Sequence, residues 1–461
     1  MRKIYYLSLL SSGMLLILGG CRKFVQIPPP PDSLISSQLF GDSSDAVAAL
    51  SGIYINVLQN TNTINASSGL LTLYPGMTAD ELAPPFPGSD AAYAANNIIE
   101  TDQTLESIWS QCYNDIYRAN ACIEGAAASN GISGSLKARI TGEAKFFRAF
   151  YHLNLTNVFG GVPLVQSTDY NVNAKLARSG VPDIYQAVIA DLNSADSLLS
   201  GSGLDNIPSR VNHYAVEALL ARVYLYNKQY DKADEYATKV LAGGYSLPAD
   251  PNQVFLIGSS EAILQILPTY PGDETAEGNI FLPYDPSSPF PPNYMLDSGL
   301  VNAFEPDDLR KDAWVSSLTA GSDVYYYPTK YKLRSDFSST APPTEGYMWL
   351  RLAEQYLIRA EARAQQGDVS GALSDLDAIR ERAGLTDAVA GSAADVQAAI
   401  QKERRIELFC EWGHRWIDLK RTGTIDAVLG KEKTGWAPSD ALWPIPYNEI
   451  RTNPFLTPNP S

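Results

Sequence analysis

Apolar residues recur at spacings of three and four along most of this chain, and that rhythm predicts helices. Over residues 43–59 the set is Ala46, Leu50, Ile53, Tyr54 and Val57. Residues 103–126 and 135–157 read as a long helical pair, closed by the breakers in Val158-Phe-Gly-Gly-Val-Pro163. In residues 218–241, Ala221, Tyr224, Ala233 and Val240 keep the offsets of a tetratricopeptide repeat, and the two alanines let antiparallel helices approach closely. The same offsets return at Ala360, Arg363, Ala372 and Ile379, with Gln366–Gly371 as the turn. Such pairs cannot bury their apolar faces alone and must stack. The expected fold is mainly α: four tetratricopeptide-like helix pairs forming a right-handed solenoid, interrupted by a loop-rich insert.

That insert, residues 245–345, is rich in Pro, Gly, Ser and Tyr, and a stretch this long without helical rhythm usually carries function. It contains a few short strands, expected at Glu261–Leu267 and Tyr325–Tyr331. Residues 60–100 are loop-rich as well. In that loop Phe86 and Tyr93 sit among Asp90 and Asn96, and in the insert Tyr270, Tyr284, Phe290, Tyr294, Trp314, Tyr325 and Tyr327 add rings. An aromatic face beside amides and carboxylates suits a sugar, whose C–H side meets the ring while polar groups bond its hydroxyls. Packing of the insert's own small core is the competing explanation for any one of the insert rings, and an ordinary ordered loop is that for Phe86 and Tyr93.

Residues 402–423 are the densest stretch. Ile406, Leu408 and Phe409 give an apolar helix face, Gly413 reads as a helix stop, and Trp412 and Trp416 alternate with charges. Arg404, Glu407, Arg415, Trp416, Asp418 and Arg421 are expected to form a buried ion-pair network under an aromatic lid. Glu407 and Asp418 could alternatively be a catalytic carboxylate pair, although carboxylates among arginines are held ionised and make poor proton donors.

Composition narrows the function. The net charge is −16 over 461 residues, which disfavours nucleic acid and anionic lipid as partners. Arg2 and Lys3 followed by the apolar run Ile4–Leu18 predict a signal peptide over residues 1–20, and Leu18-Gly-Gly-Cys21 reads as a lipoprotein cleavage box with Cys21 as the acylated residue. Residues 21–36, with Pro28–Pro31, read as a stiff tether. Cys112 and Cys122, about 15 Å apart along one predicted helix, cannot bond, and with Cys410 they are expected to be reduced and buried. The chain lacks HExxH, phosphate-loop and GxGxxG motifs, and no CxxC or His–Cys spacing suggests zinc, so no metal or cofactor is expected. His152 and His213 are expected to be packed or solvated side chains.

Four stretches carry a resemblance. Gly142–Tyr151 with Phe159–Leu164, Arg351–Glu361 with Ile379–Gly384, Lys402–Gly423, and Trp443-Pro-Ile-Pro446 with Asn453-Pro454 together resemble the SusD/RagB family of surface glycan-binding lipoproteins. The resemblance implies residues 37–244 as an N-terminal helical region, 245–345 as a ligand or partner surface, and 346–461 as a C-terminal helical region with an extended tail. It implies a non-catalytic lipoprotein of the outer membrane, facing the cell surface. Such a protein captures an oligosaccharide and delivers it to a SusC-like TonB-dependent transporter, with the loop after Thr78, Asp80 and Glu81 contributing to binding. Relatives exported to the surface often carry acidic residues after the lipid cysteine, where this chain has Arg22 and Lys23. A peptide ligand in the same role, a protein-assembly scaffold and a glycosidase remain alternatives.

Overall fold

The computed structural model describes residues 39–58, 66–86, 88, 90–201, 207–287 and 289–460. The signal peptide, the tether and Cys21 lie outside the described residues. Twelve helices of eight residues or more organise the described chain. They are α1 (Ser43–Leu58), α2 (Leu70–Thr78), α3 (Gln103–Ala128), α4 (Gly134–Phe159), α5 (Val181–Leu199), α6 (His213–Tyr226), α7 (Tyr230–Leu241), α8 (Leu352–Gln365), α9 (Val369–Arg382), α10 (Ala393–Glu407), α11 (His414–Arg421) and α12 (Ile425–Glu432). Local chemistry sets several starts: Asp102, Ser133, Asn212, Asp368 and Ser392 each accept a backbone N–H of the following turn.

Helices α3 to α7 pack each on the next, and α7 then packs directly on α8, although 110 residues separate them in sequence. The solenoid interrupted in the chain is therefore continuous in space. Arg363 Nε reaches Asp234 Oδ1 at 3.2 Å across that junction. Helix α5 had no counterpart among the sequence expectations; its apolar set Ile184, Val188, Leu192, Ala195 and Leu199 is fully buried against α4. Gly142 permits the approach, because a Cβ there would lie 2.7 Å from Leu199 Cγ.

The segment between α7 and α8 holds the short strands. β2 (Ala262–Ile266) pairs antiparallel with β6 (Tyr347–Arg351), and β4 (Val315–Ala320) forms a hairpin with β5 (Asp323–Pro328) through Gly321-Ser322. Gly321 has φ +67°, as the first centre of such a tight hairpin requires. The third ladder is the informative one: β1 (Leu82–Ala83) pairs with β3 (Met295–Leu296), Leu82 opposite Leu296. It stitches the N-terminal loop to the middle of the insert. One continuous core runs from Phe40 to Leu456, and a smaller one fills α8, α9 and α10. The tail straps over the end of α4: Asn459 Nδ2 donates to Phe159 O at 3.0 Å and Trp443 O at 2.7 Å, and Arg178 Nη1 donates to Pro458 O at 3.0 Å. Cys112, Cys122 and Cys410 are unpaired and buried.

Candidate functional site

The β1–β3 ladder brings Asp90 and Tyr294, 204 residues apart, into contact: Tyr294 Oη donates to Asp90 Oδ2 at 2.8 Å. From the other side Tyr74 Oη, on α2, donates to Asp90 Oδ1 at 3.1 Å. Burial, and then the Asp90 carboxylate, push both phenols well above their usual range, so both stay protonated donors. A carboxylate offers about four lone-pair directions, so two remain for a ligand hydroxyl. Asp90 lines a cleft of about 720 Å³ together with Asn279, Tyr284, Asn293, Tyr294, Arg334, Ser335, Asp336 and Phe337. Tyr284 is 91 % exposed and Phe337 58 % exposed. The Arg334 guanidinium lies 5.8 Å from the centre of the Tyr284 ring, and its Nη1 donates to Asn279 O and Leu282 O. The mouth thus combines two solvent-facing rings with a fixed carboxylate, two amides and a guanidinium.

The other residues expected at a ligand site fall elsewhere. Tyr93 is buried, packs between Tyr74 and Trp443, and donates to Asp102 Oδ1 at 2.7 Å. Asn96 is buried with φ +55°; its amide donates to Thr78 O at 3.0 Å and its oxygen accepts Lys433 Nζ at 2.7 Å. Trp314 and Tyr327 are buried too. These four side chains offer no free face, because the core and the loop backbone already use them. Phe86 is exposed and Tyr325 half-buried, both outside the cleft lining. Sequence reasoning placed Tyr284 among the insert rings but missed Arg334 and Phe337. No local signal marks Arg334 or Phe337: neither has a proline neighbour, and proline-flanked rings such as Tyr327 and Trp443 are buried.

The C-terminal stretch departs from its expected shape. The helix ends at Glu407, six residues before Gly413, and the turn between uses left-handed backbone at Cys410, Trp412 and Gly413. Gly413 opens α11 rather than closing α10. The expected single knot is three. Glu407, fully buried, accepts Arg310 Nη1 at 2.9 Å, Arg351 Nη1 at 2.6 Å and a further bond from Arg382. Asp418 accepts Arg404 Nε at 2.8 Å and Arg421 Nε at 2.6 Å, and Arg421 also holds Glu361. Arg415 belongs to neither, pairing instead with Asp80 at 2.7 Å beside Arg405. The aromatic lid is Trp314 and Phe409, with Lys330 Nζ 4.8 Å and 4.1 Å from their ring centres. Trp412 and Trp416 do not form it: Trp412 packs on Trp349 and Phe150, and the buried Trp416 meets Trp436.

Burial alone would raise Glu407, but Arg382, Arg351 and Arg310 overcome it and hold the carboxyl well below the usual range. Asp418 is lowered likewise, by Arg404 and Arg421 acting against burial. Neither is a poised acid, and the two have no bonding partner in common. His152 is buried neutral: burial lowers it to about 4, while its Nε2 accepts the Val165 N–H at 3.2 Å.

Residues 48–225 match the family described as "Starch-binding associating with outer membrane", and residues 309–461 match the "SusD family". SusD-like protein P38 of Formosa agariphila is 24 % identical, over 99 % of this chain and 98 % of its own. Two solved structures share the fold. A "Laminarin binding SusD-like protein" has TM-score 0.73 and 23 % identity, covering 92 % of this chain and 100 % of its own. "Surface glycan-binding protein A" from Bacteroides fluxus has TM-score 0.74 and 22 % identity, covering 91 % and 100 %. With matches in both its N-terminal and C-terminal helical regions, taking in well over half its length, the chain belongs to the SusD/RagB family.

Proposed function

We propose that this protein is a non-catalytic binding lipoprotein that captures an oligosaccharide in the Asp90–Tyr294 cleft. The observation that carries the reading is the pairing of the exposed Tyr284 and Phe337 rings with a carboxylate pinned by two phenols. Rings take the C–H faces of pyranoses and fixed polar groups take their hydroxyls. An open cleft does this over several sugars, so affinity is weak per sugar and grows with chain length. Family membership and the glycan-binding names of two structural neighbours support the same ligand class. A SusC-like TonB-dependent transporter as recipient, the acyl anchor on Cys21 and a cell-surface location complete the proposal.

Calorimetry against a panel of soluble polysaccharides and their oligomers tests it. Binding to at least one glycan, weakened in Tyr284→Ala, is expected. Silence across the panel, with binding to peptides instead, would move the ligand class while keeping the cleft.

A further inference from the structure

Away from that cleft, Asp196 on α5 meets His213 and Glu217, one turn apart on α6. His213 Nδ1 lies 2.9 Å from Asp196 Oδ1, and His213 Nε2 lies 3.5 Å from Glu217 Oε1. One ligand atom from each residue falls within a set spanning 4.8 Å. Among the described residues this is the only such group. The Asp196–His213 approach is close, and both atoms are shut off from solvent with no other hydrogen-bond partner.

We propose that Asp196, His213 and Glu217 bind a divalent transition metal of the zinc class, as a staple between α5 and α6. The donor set fits. Zn²⁺ accepts a borderline imidazole together with hard carboxylate oxygens, and the imidazole discriminates against Ca²⁺ and Mg²⁺. Zn–N and Zn–O bonds of about 2.0–2.2 Å at tetrahedral angles place ligand atoms about 3.3 Å apart; Asp196 and Glu217 face opposite nitrogens of the ring, so the imidazole turns to bring one nitrogen and both carboxylates onto an ion. Charge fits as well. Two carboxylates sit beside one imidazole, and the neighbouring cation Lys239 is already paired with Glu235 at 3.0 Å. A dication neutralises both carboxylates where burial works against their charge. The i, i+4 spacing on α6 fixes two ligands on one rigid turn, and α5 supplies the third, so binding ties together helices that a 13-residue connection separates.

The test is zinc titration of the full purified chain, stripped with chelator, by calorimetry and thermal melting, with Co²⁺ absorption reporting coordination. Expected are one equivalent of Zn²⁺, a higher melting temperature and a tetrahedral Co²⁺ spectrum. His213→Gln, Asp196→Asn and Glu217→Gln should each lower zinc affinity more than about tenfold. Circular dichroism in chelator checks each fold. Should one variant not fold, the other two carry the comparison. Absence of zinc binding, or equal binding by wild type and variants, overturns the proposal. The first outcome leaves the imidazole as a plain contact between two carboxylates, and the second leaves adventitious surface carboxylates only. Neither bears on the glycan cleft, which uses none of these side chains.

Discussion

Glu407→Gln is the sharpest probe of what the C-terminal stretch does. The carboxylate sits where Arg310, Arg351 and Arg382 converge. In the surrounding network Asp308, Glu261, Glu403, Glu407 and Glu411 face Arg310, Lys330, Arg351, Arg380 and Arg382, so acids and bases balance. The amide keeps the shape but removes one charge, leaving a buried cationic excess. Removing one partner of a buried pair costs about 3–5 kcal/mol. Urea unfolding at pH 7 should show a loss of that size with an unchanged slope. The sign with pH follows from the lowered carboxyl: Glu407 contributes stability above the ordinary glutamate range, near pH 4.3, and that contribution fades as pH falls below it. The gap between wild type and variant should therefore shrink toward pH 3. Asp418→Asn should destabilise independently, and the double variant should be additive within about 0.5 kcal/mol, because the two carboxylates hold different arginines. A loss under about 1 kcal/mol for Glu407→Gln, or strong coupling in the double variant, would refute the separate-network reading.

Glu81 is buried and raised to about 8, first by burial and then by Asp80. It therefore costs stability increasingly from about pH 4.5 to 8, by up to about 1.4 kcal/mol per pH unit; Glu81→Gln should flatten that part of the stability–pH curve, and an unchanged slope would show that Glu81 ionises normally in the fold. Tyr284→Ala and Phe337→Ala should each weaken glycan binding by roughly threefold to tenfold, since a stacked ring is worth about 0.5–1.5 kcal/mol, with the melting temperature unmoved. Gly413→Ala should cost about 2 kcal/mol or more in chemical unfolding, because φ is +66° there and a new Cβ would lie 2.6 Å from Pro75 Cβ. Zinc should raise the melting temperature of the wild type and leave that of His213→Gln unchanged.

The helices were legible because their signal is local. Ala221, Ala233, Ala360 and Ala372 sit at repeat offsets and are fully buried at helix contacts, as their size requires. What local rhythm cannot carry is which distant segments meet. Nothing in the order of residues says that α7 docks on α8 across the insert, or that Leu82 finds Leu296. That second pairing builds the cleft: it turns Asp90 and Tyr294, each named as a candidate without a partner, into one polar anchor. Aromatic identity misled for the same reason. A tryptophan in a loop-rich segment reads as a binding ring, yet Trp314 covers the cations around Glu407, because a large π face over buried guanidinium and ammonium groups stabilises them where water is excluded. The rings left for a ligand, Tyr284 and Phe337, are those that the fold leaves outside the core. Exposure set by topology therefore decides which aromatics bind, and that property belongs to the fold rather than to any window of sequence.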